Sequence, residues 1–134
     1  MRRLFILAAT LPSLAATQTI SCPAIITEGS IQVQRAPEGW QASASTPVWL
    51  DGGGMLSGAP AEMRYLVQAS SKKAKGATIS TWNFQPGEEK WLYCTYGKMA
   101  VQLSRRMDDR ATVCEVTATT SSKGSVTSIT AACR

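Results

Sequence analysis

The chain contains no histidine. That removes the Ser-His and Cys-His pairs used by most covalent hydrolases. It also argues against a zinc site of the usual Cys/His type, all the more because the four cysteines include no C-x-x-C pair. Charged residues are few, 17% of the chain, and a net charge of +5 is too weak to suggest a nucleic-acid partner for a chain read as exported. No apolar run approaches the roughly 20 residues that cross a bilayer. Gly52-Gly53-Gly54 is not followed by the Lys-Ser/Thr of a phosphate loop. The stretch MLSGA, residues 55–59, lacks the first glycine of a nucleophile elbow. Helical periodicity is scarce, and no repeat or linker divides the chain. Neither a cofactor nor a metal is expected.

What is present begins with a leader. Arg2 and Arg3 precede the apolar run Leu4 to Leu11, then Pro12 and the small residues Ser13-Leu14-Ala15. This is the layout of a secretory signal peptide, read as residues 1–15. It leaves residues 16–134 as one small domain, with a net charge of +3 once the two arginines are lost. No stable membrane anchor is expected after cleavage. Cys22 follows Thr19-Ile20-Ser21, with no leucine at the −3 position of a lipoprotein signal, so it is read as a structural cysteine. Four cysteines in an exported chain imply two disulfides.

Short alternating or β-branched stretches, punctuated by Gly, Pro, Ser and Asp, predict a mainly β fold. The expectation is an antiparallel meander forming a small β-sandwich or open barrel, with at most one short helix. SIQVQR, EGWQASAS and PVWL are strand candidates. GAPAEMRYL admits either a helical turn at Pro60 and Glu62 or a strand. The three glycines imply a mobile loop or a close backbone approach. In the C-terminal half, Gln85-Pro86-Gly87-Glu88 predicts a hairpin with Trp82 opposite Trp91. Gly97-Lys98 predicts another, placing Cys94 opposite Val101. Alternation then gathers Ile79, Leu92, Cys94, Tyr96, Met99, Val101 and Leu103 on one face, continued by Cys114, Val116, Ala118, Ile129, Ala131 and Cys133.

The same register assigns the disulfides. A hairpin centred on Lys123-Gly124 sets Cys114 directly opposite Cys133, within disulfide reach. The strand at 99–104 separates Cys94 from Cys114, so Cys22 pairs with Cys94 by elimination.

The opposite face of the predicted hairpin carries Trp82, Phe84, Trp91 and Tyr93. Two readings stay open. Either N-terminal strands with Trp40 and Trp49 fold over these aromatics as a second layer, or part of the patch is exposed and receives a partner.

An early Cys-Pro (SCPA), GAPAEMRYL after a glycine-rich segment, then TWNF, WLYCTY and VCEV form a recurring pattern. It resembles the STY-type family of small exported Gram-negative proteins of uncharacterised function, some encoded near type VI secretion gene clusters. The resemblance implies the periplasm and a role beside secreted toxins. It carries over no catalytic residue.

Among the acids, Asp51 and the pair Asp108-Asp109 are the sites with any catalytic potential, and all three read more simply as turn residues. A non-catalytic binding protein fits better: an immunity-type protein or inhibitor that occludes an envelope-targeting toxin or hydrolase. The alternative is a housekeeping envelope adaptor or lysozyme-inhibitor-like protein. Candidate partner-binding residues are Trp82, Trp91 and Tyr93 on the aromatic face, Asp51 and Met55 around the glycines, Lys72, Lys73 and Lys75, and Arg105, Arg106 and Arg110, the cations steering towards an acidic partner.

Overall fold

The computed structural model describes residues 16–44 and 47–134; the expected signal peptide lies outside them. The described chain is a sandwich of two antiparallel sheets. Strands β1 (Gln18–Ser21), β4 (Ser70–Ala74), β5 (Ala77–Asn83), β8 (Val113–Thr120) and β9 (Val126–Cys133) form one sheet, in the order β1-β9-β8-β5-β4. Strands β2 (Ile25–Ile26), β3 (Val48–Ser57), β6 (Lys90–Tyr96) and β7 (Val101–Arg106) form the other, in the order β2-β3-β6-β7. One 3-10 turn, Pro60–Glu62, starts on its proline.

Alternation decides which side chains meet between the sheets. In β6, Lys90, Leu92, Cys94 and Tyr96 point inward and are buried, while Trp91 and Tyr93 point outward and are half-buried. In β8 and β9, Cys114, Val116, Ile129, Ala131 and Cys133 fill the facing side. Met55, Leu50 and Trp82 complete the centre.

Both disulfides have the expected partners. Cys114 lies opposite Cys133 across the β8–β9 ladder, with 4.1 Å between Cα atoms. Cys22–Cys94 has a Cα separation of 5.9 Å and joins the two sheets: Cys22 continues from β1 and donates its N–H to Ile129 O, whereas Cys94 belongs to β6. Beside it, the buried Tyr96 donates its hydroxyl to Pro23 O at 2.7 Å.

Several expected pairings are corrected. The turn at Gln85 to Glu88 forms, but it carries the chain from one sheet to the other. β5 pairs with β4 and β8, and β6 pairs with β3 and β7, so Trp82 lies opposite Cys114 and not Trp91. Trp82 therefore points into the core and Ile79 points out, the reverse of the expected faces. The reason is that turn chemistry fixes a change of direction, whereas burial decides which strand is joined. Trp82 and Leu92 are both inward residues and end on facing sheets. The chain changes sheets again between β7 and β8, so the fold is not one continuous meander. The turn after β6 spans four residues, 97–100, which moves Cys94 opposite Leu103. The shift is two residues, so the side chains of β7 keep their expected faces, but Met99, expected on the buried face, falls in the turn and is exposed.

The glycines form a strand and not a loop: Gly52, Gly53 and Gly54 pair with Thr95, Cys94 and Tyr93. Among the described residues, SIQVQR and EGWQASAS contain no strand. Trp40 and Trp49 do not cover the aromatics, being 74% and 65% exposed; the facing sheet covers Trp82 and Phe84 instead.

Candidate protein-binding face

The outer surface of the four-stranded sheet is built around missing side chains. On β3, Gly52 and Gly54 face outward and Gly53 faces the core. A Cβ on Gly53 would stand 2.6 Å from Tyr93 O of the adjacent strand β6 and 3.1 Å from Ile129 Cδ1 of the facing sheet, so backbone and core crowd the position together. A Cβ on Gly54 would stand 2.9 Å from Tyr93 Oη, so the Tyr93 ring lies across bare backbone. Tyr65 reaches the same place from the segment after the 3-10 turn. It forms a bridge opposite Leu56, meets Tyr93 edge-to-face at 5.0 Å and donates its hydroxyl to Gln102 Oε1 at 2.6 Å. Leu56 on this face is fully buried. Trp91, also half-buried, is oriented by its Nε1–H to Glu89 Oε1 at 2.7 Å.

Towards the other end, the face opens. Asp51 sits at a β-bulge between Leu50 and Gly52. Its carboxylate accepts hydrogen bonds from Thr95 Oγ1, at 2.7 Å, and from the backbone N–H of Lys98. This second contact holds the turn after β6, where Lys98 and Met99 have φ of 58° and 67°. For non-glycine residues each such conformation costs roughly 1–2 kcal/mol, and here it projects Met99, 69% exposed, into solvent. Two open depressions of about 620 and 470 Å³ share Asp51 and Lys98. Trp49 lines the first; Tyr93, Thr95 and Met99 line the second.

A family model described as type VI secretion system Tli immunity protein matches residues 44–134, from just before β3 to the C-terminus. The chain belongs to that family. Membership in the Tli immunity family implies a protein partner, an effector toxin, and points to a non-enzyme. The type VI association implied by the sequence pattern is supported; the STY-type designation is not the one the family carries. Neither a curated protein nor a solved structure matches this Tli-family chain.

Of the candidate residues, Asp51, Trp91 and Tyr93 lie together on this outer face, with Arg106 at its far edge. Met55 is fully buried and Trp82 is 6% exposed, its Nε1–H bonded to Leu66 O at 3.0 Å; neither presents a surface to a partner. Lys72 and Lys73 are exposed on β4, the far edge of the other sheet, and Lys75 follows in the turn. Arg105 points to the inner side of β7. Sequence reasoning missed Tyr65 and Lys98, placed Met99 on the buried face, and in one of its two readings gave Trp49 to a covering layer; both Met99 and Trp49 are exposed. One signal for this face was available: consecutive glycines in a strand-length segment, paired with an aromatic-rich strand.

The acidic pair proves structural. Lys90, fully buried, donates Nζ–H bonds to Asp108 O at 3.2 Å and Asp109 O at 2.8 Å, with the Phe84 ring 5.2 Å away. Burial lowers its pKa, and the neighbouring Asp109 carboxylate partly opposes that. The Asp108 carboxylate receives Arg110 Nη2 at 2.8 Å and the Arg110 backbone N–H at 2.9 Å, and Asp109 receives Arg106 at 2.7 Å. The Arg110 side chain, followed by its backbone N–H, holds Asp108 down at about 2 from 3.8, and Arg106 lowers Asp109. Both carboxylates are thus engaged in holding the turn after β7. Because both folded pKa values are depressed, the pair contributes stability that is present above the ordinary carboxylate range and is lost as pH falls, for Asp108 through about 2. Urea midpoints are therefore expected to hold level from pH 7 to 5 and decline below 4. Arg110→Ala should shrink that decline; an unchanged acid limb in the variant would show that the pair makes no contribution.

Proposed function

We propose that this protein is a non-catalytic periplasmic immunity protein that binds an envelope-targeting effector through the outer face of its four-stranded sheet and occludes the effector's active cleft. The observation that carries the reading is the exposure of Trp49 and Met99 beside the depressions around Asp51 and Lys98. Trp49 is held out by strand β3 and Met99 by the strained turn that Asp51 braces; such preorganised apolar side chains, aromatic ones above all, dominate protein interfaces. Tyr93, Trp91 and Tyr65 extend the surface as a rigid floor, and Lys98 and Arg106 supply cations at its edges. Lys72, Lys73 and Lys75 lie too far away for contact and act by long-range attraction. The two disulfides suit an oxidising compartment. Family membership favours this reading over an envelope adaptor.

The test uses the mature protein as bait for effectors released by a type VI-active strain. One effector should be recovered at low salt, with affinity falling as salt rises. Trp49→Ala and Met99→Ala should each weaken binding by roughly 30-fold, the scale of an interface anchor worth about 2 kcal/mol, with little change in melting temperature. Recovery of no effector, or undiminished binding by the double variant, would count decisively against the proposal.

A further inference from the structure

The sandwich has four edge strands, and they are not protected alike. Unpaired strand edges invite another strand, and proteins blunt them by shortness or by central charges. β1 has four residues and β2 has two. β4 carries Lys72 and Lys73 at its middle, and every residue of it is exposed. β7 is the longest edge, six residues, and its centre, Gln102-Leu103-Ser104, bears no charge. Among the described residues, no backbone hydrogen bond from another segment covers the outer side of β7 between Val101 and Arg106.

Beside this edge runs an apolar groove. Val101, Leu103 and Arg105 lie opposite Tyr96, Cys94 and Leu92, so all three point to the inner side. The facing sheet does not close over them: Leu103 is 40% exposed. A cavity of about 320 Å³ is lined by Ile20, Pro23, Leu92, Leu103 and Arg105, and another of about 290 Å³ continues past Pro23 and Leu103 to Ile26 and Ile31. Arg105 has no carboxylate partner among the described residues, whereas Arg106 is paired with Asp109.

We infer that β7 receives an extended segment of the protein partner as an added antiparallel strand, its apolar side chains filling the groove and its carboxylates meeting Arg105 and Arg106. Residues directly opposed across a ladder share a face, so the geometry specifies a pattern. Read from its own N-terminus, the segment carries two acidic residues opposite Arg106 and Arg105, then polar, apolar, polar and apolar residues opposite Ser104, Leu103, Gln102 and Val101. Main-chain bonds supply affinity and the alternate side chains supply selectivity, as in other strand-addition complexes. A second copy of this chain is a poorer occupant: paired antiparallel, its β7 sets no carboxylate opposite Arg105 or Arg106 and lays its own arginines against the Val101 end of the groove. The inference rests on the immunity reading for the partner's identity, but not for the chemistry of the site.

The probe is a capped hexapeptide, Glu-Glu-Thr-Ile-Thr-Val, titrated into the oxidised mature protein and followed by amide NMR. Shifts are expected for Val101 to Arg106 and Leu92, with affinity weakening as salt rises. A Lys-Lys-Thr-Ile-Thr-Val peptide should bind at least tenfold more weakly. Arg105→Glu should exchange the two preferences, and Lys123→Glu, in the remote β8–β9 turn, should leave them unchanged. No shift at millimolar peptide, shifts confined to other strands, or equal binding of both peptides overturns the inference, and the peptide comparison needs no variant to fold. A protein that captures an effector through Trp49 and Met99 yet ignores the peptide refutes this inference alone. One that binds the peptide but recovers no effector refutes the immunity reading alone.

Discussion

Trp82→Ala is expected to lower unfolding free energy by about 3–5 kcal/mol and the melting temperature by more than about 10 °C. Trp82 sits on the inward face of β5, opposite Cys114, and only 6% of it is exposed. Truncation leaves a large cavity between the sheets, and the packed interior relaxes only partly to fill it. It also removes the donor to Leu66 O, which pins the segment leading from the 3-10 turn back to β4. Trp91→Ala is the control, because Trp91 is half-buried on the outer face and anchored only to Glu89. Its cost should be well below that of Trp82→Ala. Parallel urea denaturation of the two variants measures the difference. Equal losses would mean that the two tryptophans share one environment, contrary to their placement on different sheets.

Loss of the Cys22–Cys94 bridge, in a Cys22→Ala/Cys94→Ala variant, is expected to cost about 4 kcal/mol. The bridge joins residues 72 apart in sequence, and the chain-entropy cost of leaving so long a loop open sets that scale. Cys114–Cys133 closes a separation of only 19 and already lies within a paired ladder, so its removal should cost about 3 kcal/mol. The two variants should also differ in where they loosen. Without Cys22–Cys94, β1 and β2 lose their tether to β6, and their amides should exchange fastest. Without Cys114–Cys133, the losses should centre on the ends of β8 and β9. Hydrogen exchange read strand by strand checks both. Protection of β1 that survives loss of its disulfide would mean that the β1–β9 ladder suffices.

The face of each C-terminal strand from β6 onward was legible in the sequence because strand periodicity is local. Leu92, Cys94 and Tyr96 against Trp91 and Tyr93 follows from alternation alone, and a four-residue turn in place of two leaves it intact. The disulfide partners were legible for the same reason: the Lys123-Gly124 hairpin sets Cys114 against Cys133, and one pair then remains. What the sequence concealed was the choice of partner strand. Pro86-Gly87 reverses the chain equally well within a sheet or between sheets, and the burial of Trp82 against the other layer selects the second. The open end of the binding face was hidden for a different reason. Its shape depends on long-range contacts, such as Asp51 with Lys98 and Tyr65 with Tyr93 and Gln102, that leave no periodic trace. Asp51 was visible as a residue beside glycines, but its task of bracing a turn 47 residues away was not.

The glycine-floored strand also divides the binding face by what evolution can alter there. A larger residue at Gly53 would collide with Tyr93 O of the adjacent strand and press on Ile129, and one at Gly54 would lift the Tyr93 ring. The floor is thus tied to folding, and nearly any change to it is lost with the fold. The rim is not so constrained: the Trp49, Lys98 and Met99 side chains stand clear of the core, and on the proposed reading they answer only to the partner. A lineage facing a new toxin can rewrite the rim one residue at a time while the floor stays the same, so that stability and specificity mutate on separate residues.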